Sequence, residues 1–318
     1  MPKTFSKKIK YRFLDFLGSL LLVFSVLTFR ALPPKLLVSV ARVCGTLGFY
    51  LIKKYRQRVL SNLSFAFGEE KDVKEMTRLA KEVFFNFTLT PLETIYAFGV
   101  PFGKLVREIK ITGQEYLDAS LAKGNGVIAL GSHLGSFTLL GKRLAVEGYP
   151  FNVIFNEGDF QKLTERLRNY ETKVVQSVFP PKPAMASVKK SINCLRRNEI
   201  LYLIADEQQI LGGLPVPFFG KTAYTAPGPA IFSLKTGAPI LPMFIVRERG
   251  TPKTLFIGRP VEIERTFDEK RDTELLTAKF TKAIEDSIRK YPEQWPWLNR
   301  RWKPPYTNES PRKVRRAL

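Results

Sequence analysis

The chain holds one histidine, His133, and two cysteines, Cys44 and Cys194. One histidine excludes HExxH and His-cluster metal sites, and two cysteines are too few for a Cys-rich zinc site or a disulfide framework. Any imidazole chemistry therefore rests on His133. It follows the apolar run GVIAL, is flanked by Gly131 and Gly135, and precedes a helical stretch over 135–147. In open α/β sheets, sites form beyond the carboxyl ends of strands. A histidine at a helix mouth has its pKa pushed down by the dipole, which keeps the imidazole neutral, as a general base must be. The alternative is a satisfied structural histidine. A second apolar run, Ile200–Ala205, leads straight into Asp206 and Glu207.

The elements that must position these residues alternate between strand and helix. Strands are predicted over 109–111, 127–130, 151–155, 200–205, 239–246 and 254–260. Helices are predicted over 70–100 (interrupted or kinked at Pro91), 114–121, 159–175, 185–196, 226–236 and 274–291. The run 127–130 is wholly apolar, as in a strand buried on both faces of a parallel sheet. This alternation indicates an α/β fold with a mostly parallel sheet flanked by helices. No internal repeat or long linker interrupts it.

The 51 Lys and Arg against 29 Asp and Glu give a net charge of +22, so the protein meets something anionic: nucleic acid, phospholipid headgroups or an acidic protein. No zinc-finger spacing or RRM-like aromatic signature is present, which argues against nucleic acid. The charge sits instead beside apolar helices. Lys3, Lys7, Lys8, Lys10 and Arg12 precede the apolar segment Phe13–Phe29, whose only charge is Asp15. This has the shape of a signal peptide but no small-x-small cleavage site. At roughly 25 Å as a helix it is slightly short of the ~30 Å hydrocarbon core, so a short span and a deep interfacial helix both fit. A second apolar stretch, Leu36–Ile52, runs into Lys53, Lys54, Arg56 and Arg58. An apolar helix with an adjacent basic cluster is a two-signal device for holding an anionic membrane surface; a core helix with a solvated basic end is the alternative.

The block GVIALGSHLGSFTLLG resembles the His-x4-acid block of the lysophospholipid acyltransferase-like superfamily, in particular its lipid A late acyltransferases (lauroyl and myristoyl transferases) and related glycolipid acyltransferases. Four further stretches agree with this resemblance. They are Leu203-Ile204-Ala205-Asp206-Glu207-Gln208 with the later Val216-Pro217-Phe218-Phe219-Gly220; the segment from Thr225-Ala226-Pro227 to Pro239-Ile240; the C-terminal Pro292-Glu293-Gln294-Trp295-Pro296-Trp297 with Arg300-Arg301-Trp302; and Arg58, Asn62-Leu63 and Ala66-Phe67 near the N-terminus. No single block is specific, but their combination and order over roughly 15–305 is.

The resemblance implies a glycerolipid acyltransferase-like fold with an N-terminal membrane-associated helix. Its parts would be membrane-anchoring or amphipathic helices over 1–60, an acyltransferase domain over 61–305 and a basic tail over 306–318. It implies transfer of a fatty acyl chain from acyl carrier protein or coenzyme A to a hydroxyl of a lipid A-like or other glycolipid. His133 would be general base, with no covalent intermediate and no metal or redox cofactor. The setting would be the cytoplasmic face of a bacterial inner membrane, with membrane lipids and the acyl thioester as partners.

The sequence departs from the family pattern at three places. The motif acid is replaced by Thr138, which cannot carry the charge that orients an imidazole; losing a triad-type carboxylate can cost on the order of 10⁴ in rate. Either catalysis is weakened or lost, leaving a membrane lipid-binding protein, or the carboxylate comes from elsewhere. Asp206 or Glu207 is the candidate, since the strand before them should neighbour that of His133 and related enzymes pair a carboxylate from this block with the histidine. Asn156 stands where the family often has Arg, so the acceptor is less phosphorylated or Lys182 supplies charge. Asn299 stands where the family often has His, while Arg300 and Arg301 remain as binding candidates or structural partners of an interior carboxylate. Aromatics and prolines over 216–219 either line an acyl slot or belong to a Phe-rich core.

Overall fold

The apolar run after Gly126 forms the centre of the sheet. In a computed structural model, residues 34–99, 108–154, 177–179, 184–248 and 253–302 are described. The sheet comprises β1 (Lys110–Thr112), β2 (Val127–Gly131), β3 (Phe151–Ile154), β4 (Ser177–Phe179), β5 (Ile200–Ile204), β8 (Ile240–Arg247) and β9 (Lys253–Ile257) in the order β1-β9-β8-β2-β5-β3-β4. All its pairs are parallel except β8 with β9. The α/β architecture with a mostly parallel, helix-flanked sheet is therefore as expected. Every residue of β2 is buried. Ile128 and Leu130 enter one core cluster, and Val127 and Ala129 enter another, as the two-residue period of a strand requires.

The helices are α1 (Pro34–Leu51), α2 (Lys53–Phe67), α3 (Val73–Gly99), α4 (Gln114–Leu121), α5 (Leu140–Val146), α6 (Ala184–Arg196), α7 (Gly228–Thr236) and α8 (Glu269–Lys290). Asp268 caps α8 by accepting from the Lys270 and Arg271 N–H groups, so that helix begins earlier than its apolar periodicity suggests. The expected segments 13–29 and 159–175, together with Asn156, Lys182 and the tail 306–318, lie outside the described residues. No single helix among the described residues is long and apolar enough to cross a membrane. The pair Lys35–Leu51 and Lys53–Phe67 has the length and composition, but it bends by 92°.

Three features differ from the sequence reading. Pro91 does not interrupt α3, which runs through it. Proline removes one helical hydrogen bond, and side chains that pin the helix to the sheet compensate for that loss. The region after His133 is not a continuous helix. Gly135 takes φ +61° and its N–H donates to the Gln294 carbonyl, while the Ser136 N–H donates to Ile245. Only then do a 3-10 turn (Phe137–Leu139) and α5 follow. The third is an antiparallel hairpin, β6 (Leu214–Phe218) and β7 (Lys221–Thr225), turning at Phe219 and Gly220 with φ of 52° and 68°. Pro215 and Pro217 argue against a central strand, and this two-stranded ribbon has only edges, where proline is tolerated.

A buried ionic cluster fixes α3 on the sheet. Glu93 on α3 pairs with Arg247 at 2.6 Å and Lys253 at 3.0 Å, from the facing ends of β8 and β9. It also accepts from Ser136 Oγ at 2.7 Å. Arg247 donates further to Asn86 Oδ1 and Thr90 Oγ1 on the same helix. Burial alone would raise the Glu93 carboxyl, but the two cations and the hydrogen bonds hold it down to about 2. Glu93→Gln should destabilise the protein by about 3–5 kcal/mol, because it leaves two buried cations uncompensated. With a folded pKa below the unfolded one, the carboxylate's contribution is complete above about pH 4.5 and is lost as pH falls towards 2. Denaturant unfolding of both proteins in detergent across that range checks the size and the sign.

Candidate active site

Strands β2 and β5 run parallel in register from Val127 with Ile200 to Gly131 with Ile204, so both chains leave the sheet at the same edge. His133 leaves from β2 and Asp206 from β5. The Nδ1 of His133 lies 2.9 Å from Asp206 Oδ1, and the backbone N–H of His133 donates to Oδ2 at 2.9 Å. The indole N–H of Trp295 donates to the same Oδ2 at 2.7 Å. The Asp206 side chain is wholly buried, whereas the imidazole is 28% exposed. Since Nδ1 is engaged, Nε2 is the nitrogen available to a reactant. Phe137 packs edge-on against the ring with centroids 4.9 Å apart.

The electrostatics differ from the sequence expectation. Burial pushes the imidazole pKa down, but the charge and hydrogen bond of Asp206, aided by the charge of Glu207, outweigh it and raise the pKa above 6.5. A helix dipole is not the controlling influence, because the chain after His133 bends away before a helix starts. Burial would likewise raise Asp206, yet His133 and the Trp295 and backbone N–H groups hold it below the ordinary carboxylate range. The pair therefore joins an ionised carboxylate to an imidazole that becomes neutral only above its ordinary pKa.

His133 opens onto a cavity of about 410 Å³, within the range of small-ligand sites. Val83, Phe87, Pro91 and Ile95 from α3, with Phe137, Trp295 and Pro296, make its lining predominantly apolar. Thr138 lies in the same wall, and its hydroxyl is 2.6 Å from that of Thr94. Thr94 donates its one proton to the Thr90 carbonyl, so Thr138 is the donor in this pair and keeps its lone pairs free to accept.

The other predicted site residues separate. The carboxylate of Glu207 is exposed, with Asn299 as a 3.5 Å donor; it contributes charge but no direct bond to the imidazole. Arg301 is fully buried and donates to the Glu207 and Tyr224 carbonyls and to Thr225 Oγ1, tying the C-terminus to the hairpin. It is thus a structural tie to backbone, not the partner of an interior carboxylate. Arg300 is exposed. Val216 is buried, and Phe218 and Phe219 pack in the core against Phe67, Trp295, Trp297 and Trp302, so the Phe-rich core accounts for the two phenylalanines and the cavity lies elsewhere. Two contributors were missed by sequence reasoning: the bond from Trp295 to Asp206, and the cavity wall on α3. The only hint of the latter was Thr90 and Thr94 at helical spacing in an otherwise apolar stretch. Among the described residues, no group of three or more His, Cys, Asp or Glu is placed to hold a metal ion.

The model of the bacterial lipid A biosynthesis acyltransferase family matches residues 4–304. The chain is similar to a phosphatidylinositol mannoside acyltransferase of Mycobacterium tuberculosis, at 26% identity over 206 residues. That match covers 63% of this chain and 62% of the mycobacterial protein, so it spans less than two thirds of the relative's length. It is also similar to the lipid A biosynthesis lauroyltransferase of Escherichia coli, at 24% identity over 266 residues (81% of this chain, 82% of the other). The lipid A biosynthesis palmitoleoyltransferase of the same organism is 22% identical over 287 residues, covering 88% of this chain and 89% of the other.

Because the chain has a single histidine, its titration can be followed by NMR without assignment. In the native protein the midpoint should lie above 6.5. In Asp206→Asn the main raising influence is removed, and burial, which outweighs the remaining charge of Glu207, should bring the midpoint below 6.5. In Glu207→Gln it should fall by less, since Glu207 acts only through its charge.

Proposed function

Because the chain belongs to the bacterial lipid A biosynthesis acyltransferase family, we propose that it transfers a fatty acyl group from an acyl thioester to a hydroxyl of a glycolipid, with His133 as general base. The observation that carries this reading is the His133–Asp206 pair at the wall of an apolar cavity. In the proposed reaction the acyl chain lies in the cavity. Nε2 of His133 takes the proton of the acceptor hydroxyl as its oxygen attacks the thioester carbonyl. The tetrahedral intermediate collapses, the C–S bond breaks, and the imidazolium returns the proton to the departing thiolate. Asp206 holds the Nδ1–H tautomer and stabilises the imidazolium, the role a triad carboxylate plays. Thr138 then takes no part as an acid; its free lone pairs suit a hydroxyl donor on the acceptor lipid.

The donor is acyl carrier protein or coenzyme A, both anionic and suited to a chain of net charge +22. No metal or redox cofactor takes part. The acceptor is a lipid A-like or other glycolipid at the cytoplasmic face of the inner membrane. The bend between α1 and α2 supports a membrane setting. Val43, Leu47 and Leu51 are 58%, 52% and 75% exposed, and Lys53, Lys54 and Arg56 follow at once. Exposed apolar area next to a basic cluster is what an anionic lipid surface attracts.

Thr138 supports a second reading, a lipid-binding protein that keeps the fold without the reaction. Mass spectrometry of membrane lipids with and without the protein separates the two: a missing acyl chain supports the enzyme. With purified full-length protein in detergent, acyl carrier protein or coenzyme A thioesters and a lipid extract, His133→Ala should lower turnover by roughly 10³-fold or more. Asp206→Asn should approach that loss, and Thr138→Ala should cost about tenfold or less. Native-like turnover by His133→Ala would sink the mechanism. A larger loss in Thr138→Ala than in Asp206→Asn would remove Asp206 as the partner.

The imidazole is a base only when neutral. Its raised pKa therefore places the acid limb of kcat/KM above pH 6.5. A pH–rate profile with its acid limb below 6.5 contradicts this.

A further inference from the structure

Asp206 sits at the end of β5 with its side chain shut off from solvent, so its two oxygens depend on protein donors. Oδ1 faces the imidazole. Oδ2 receives the His133 backbone N–H at 2.9 Å and the Trp295 indole N–H at 2.7 Å, the shorter of the two. Trp295 is itself 1% exposed and wedged between Phe218 and Trp297, whose ring centroids lie 5.9 and 4.8 Å away. The residue before it is bound at both ends. The Gln294 carbonyl accepts the Gly135 N–H, and its side chain makes a reciprocal pair with the Arg247 backbone. The indole is thus held by the same loop that carries the histidine.

We propose that Trp295 is a positioning residue of the His133–Asp206 pair that acts through the carboxylate: its N–H holds Oδ2 and takes up part of the negative charge, so that Oδ1 is a weaker acceptor for Nδ1 of the imidazole. This rests on the reading of His133 as the base. The other groups facing the pair cannot take over this task. The exposed Glu207 carboxylate has no proton to donate and accepts from Asn299 instead. The phenol of Tyr202, on β5 itself, is buried without a hydrogen-bond partner and makes no bond to Asp206. The Arg301 guanidinium attracts the carboxylate through charge, but its bonds go to the hairpin and to the Glu207 carbonyl.

Removing the indole N–H destabilises the ionised carboxylate without touching the imidazole. The carboxylate becomes a stronger hydrogen-bond acceptor, and the pair as a whole holds its proton more tightly. The apparent pKa of the lone histidine therefore moves upward, and less neutral base is present at pH 7.

The test is NMR titration of His133 in full-length Trp295→Phe in detergent, beside its pH–rate profile. The expected result is an upward shift of roughly half a unit or more, with the acid limb of kcat/KM moving by the same amount. A packing role alone would alter KM or chain preference through the cavity wall and leave the titration in place. Folded Trp295→Phe with an unchanged His133 midpoint overturns the proposal. If that variant does not fold, Trp295→benzothienylalanine keeps the bicyclic shape without the N–H and answers the same question. If His133→Ala retains turnover, the base assignment falls, and the titration still decides what Trp295 does to Asp206.

Discussion

The buried carboxylate of Asp206 is the constraint around which the edge of the sheet is arranged. An ionised group with no access to water costs several kcal/mol unless donors surround it. Here three donors come from two parts of the chain: the imidazole and backbone N–H of the loop after β2, and the Trp295 indole. Because β2 and β5 are adjacent and in register, the loop donors arrive without strain at the level where β5 ends. The C-terminal donor arrives because the loop and the turn over 292–294 are hydrogen-bonded to each other. One anion thereby joins segments that lie 73 and 89 positions from it in sequence.

A second buried anion, Glu93, does for α3 what Asp206 does for the loop. Its pairing with Arg247 and Lys253 presses the helix against the ends of β8 and β9, and Ser136 ties the helix to the histidine loop. This explains how a helix with an internal proline and several polar residues can wall an apolar cavity. Thr90, Thr94 and Asn86 spend their hydrogen-bonding capacity on backbone carbonyls, on one another's neighbours and on Arg247. The side left facing the cavity is then mostly carbon. The two ionic clusters are chemically different. Glu93 is held by a guanidinium and an ammonium group, whereas Asp206 faces an imidazole whose pKa it raises.

Thr138 belongs to this second arrangement. A carboxylate at that place would face an apolar cavity and the Thr94 hydroxyl of α3, while the nearby buried cations on β8 and β9 are already engaged by Glu93. The threonine satisfies its donor within the hydroxyl chain instead. Exchange of the motif acid for threonine is therefore compatible with a complete imidazole–carboxylate pair, because that pair draws its acid from β5.

Much of the frame was legible in the sequence. The run Val127–Leu130 reads as a doubly buried strand because it is apolar on both faces, and Ile200–Ala205 reads as a second apolar strand ending at two carboxylates. That these strands are neighbours, with His133 and the Asp206–Glu207 pair at one edge, was an expectation of the family resemblance, and the parallel pairing of β2 with β5 bears it out. Local patterns could not choose between the two carboxylates. They occupy adjacent positions, and one turns inward while the other faces solvent only because of how the chain leaves β5. Nor could they reveal Trp295 as a partner or Glu93 as an anchor, since hydrogen bonds between distant segments leave no periodicity. The expected helix mouth at His133 was replaced by a bend because Gly135 and Ser136 bond to Ile245 and Gln294 rather than to the next turn. The order of apolar runs and the single histidine were enough to determine the class of sheet and the one residue able to act as an imidazole base. Which acid serves that base, how its pKa moves and where the cavity lies were decided by tertiary contacts, because burial and charge act through space.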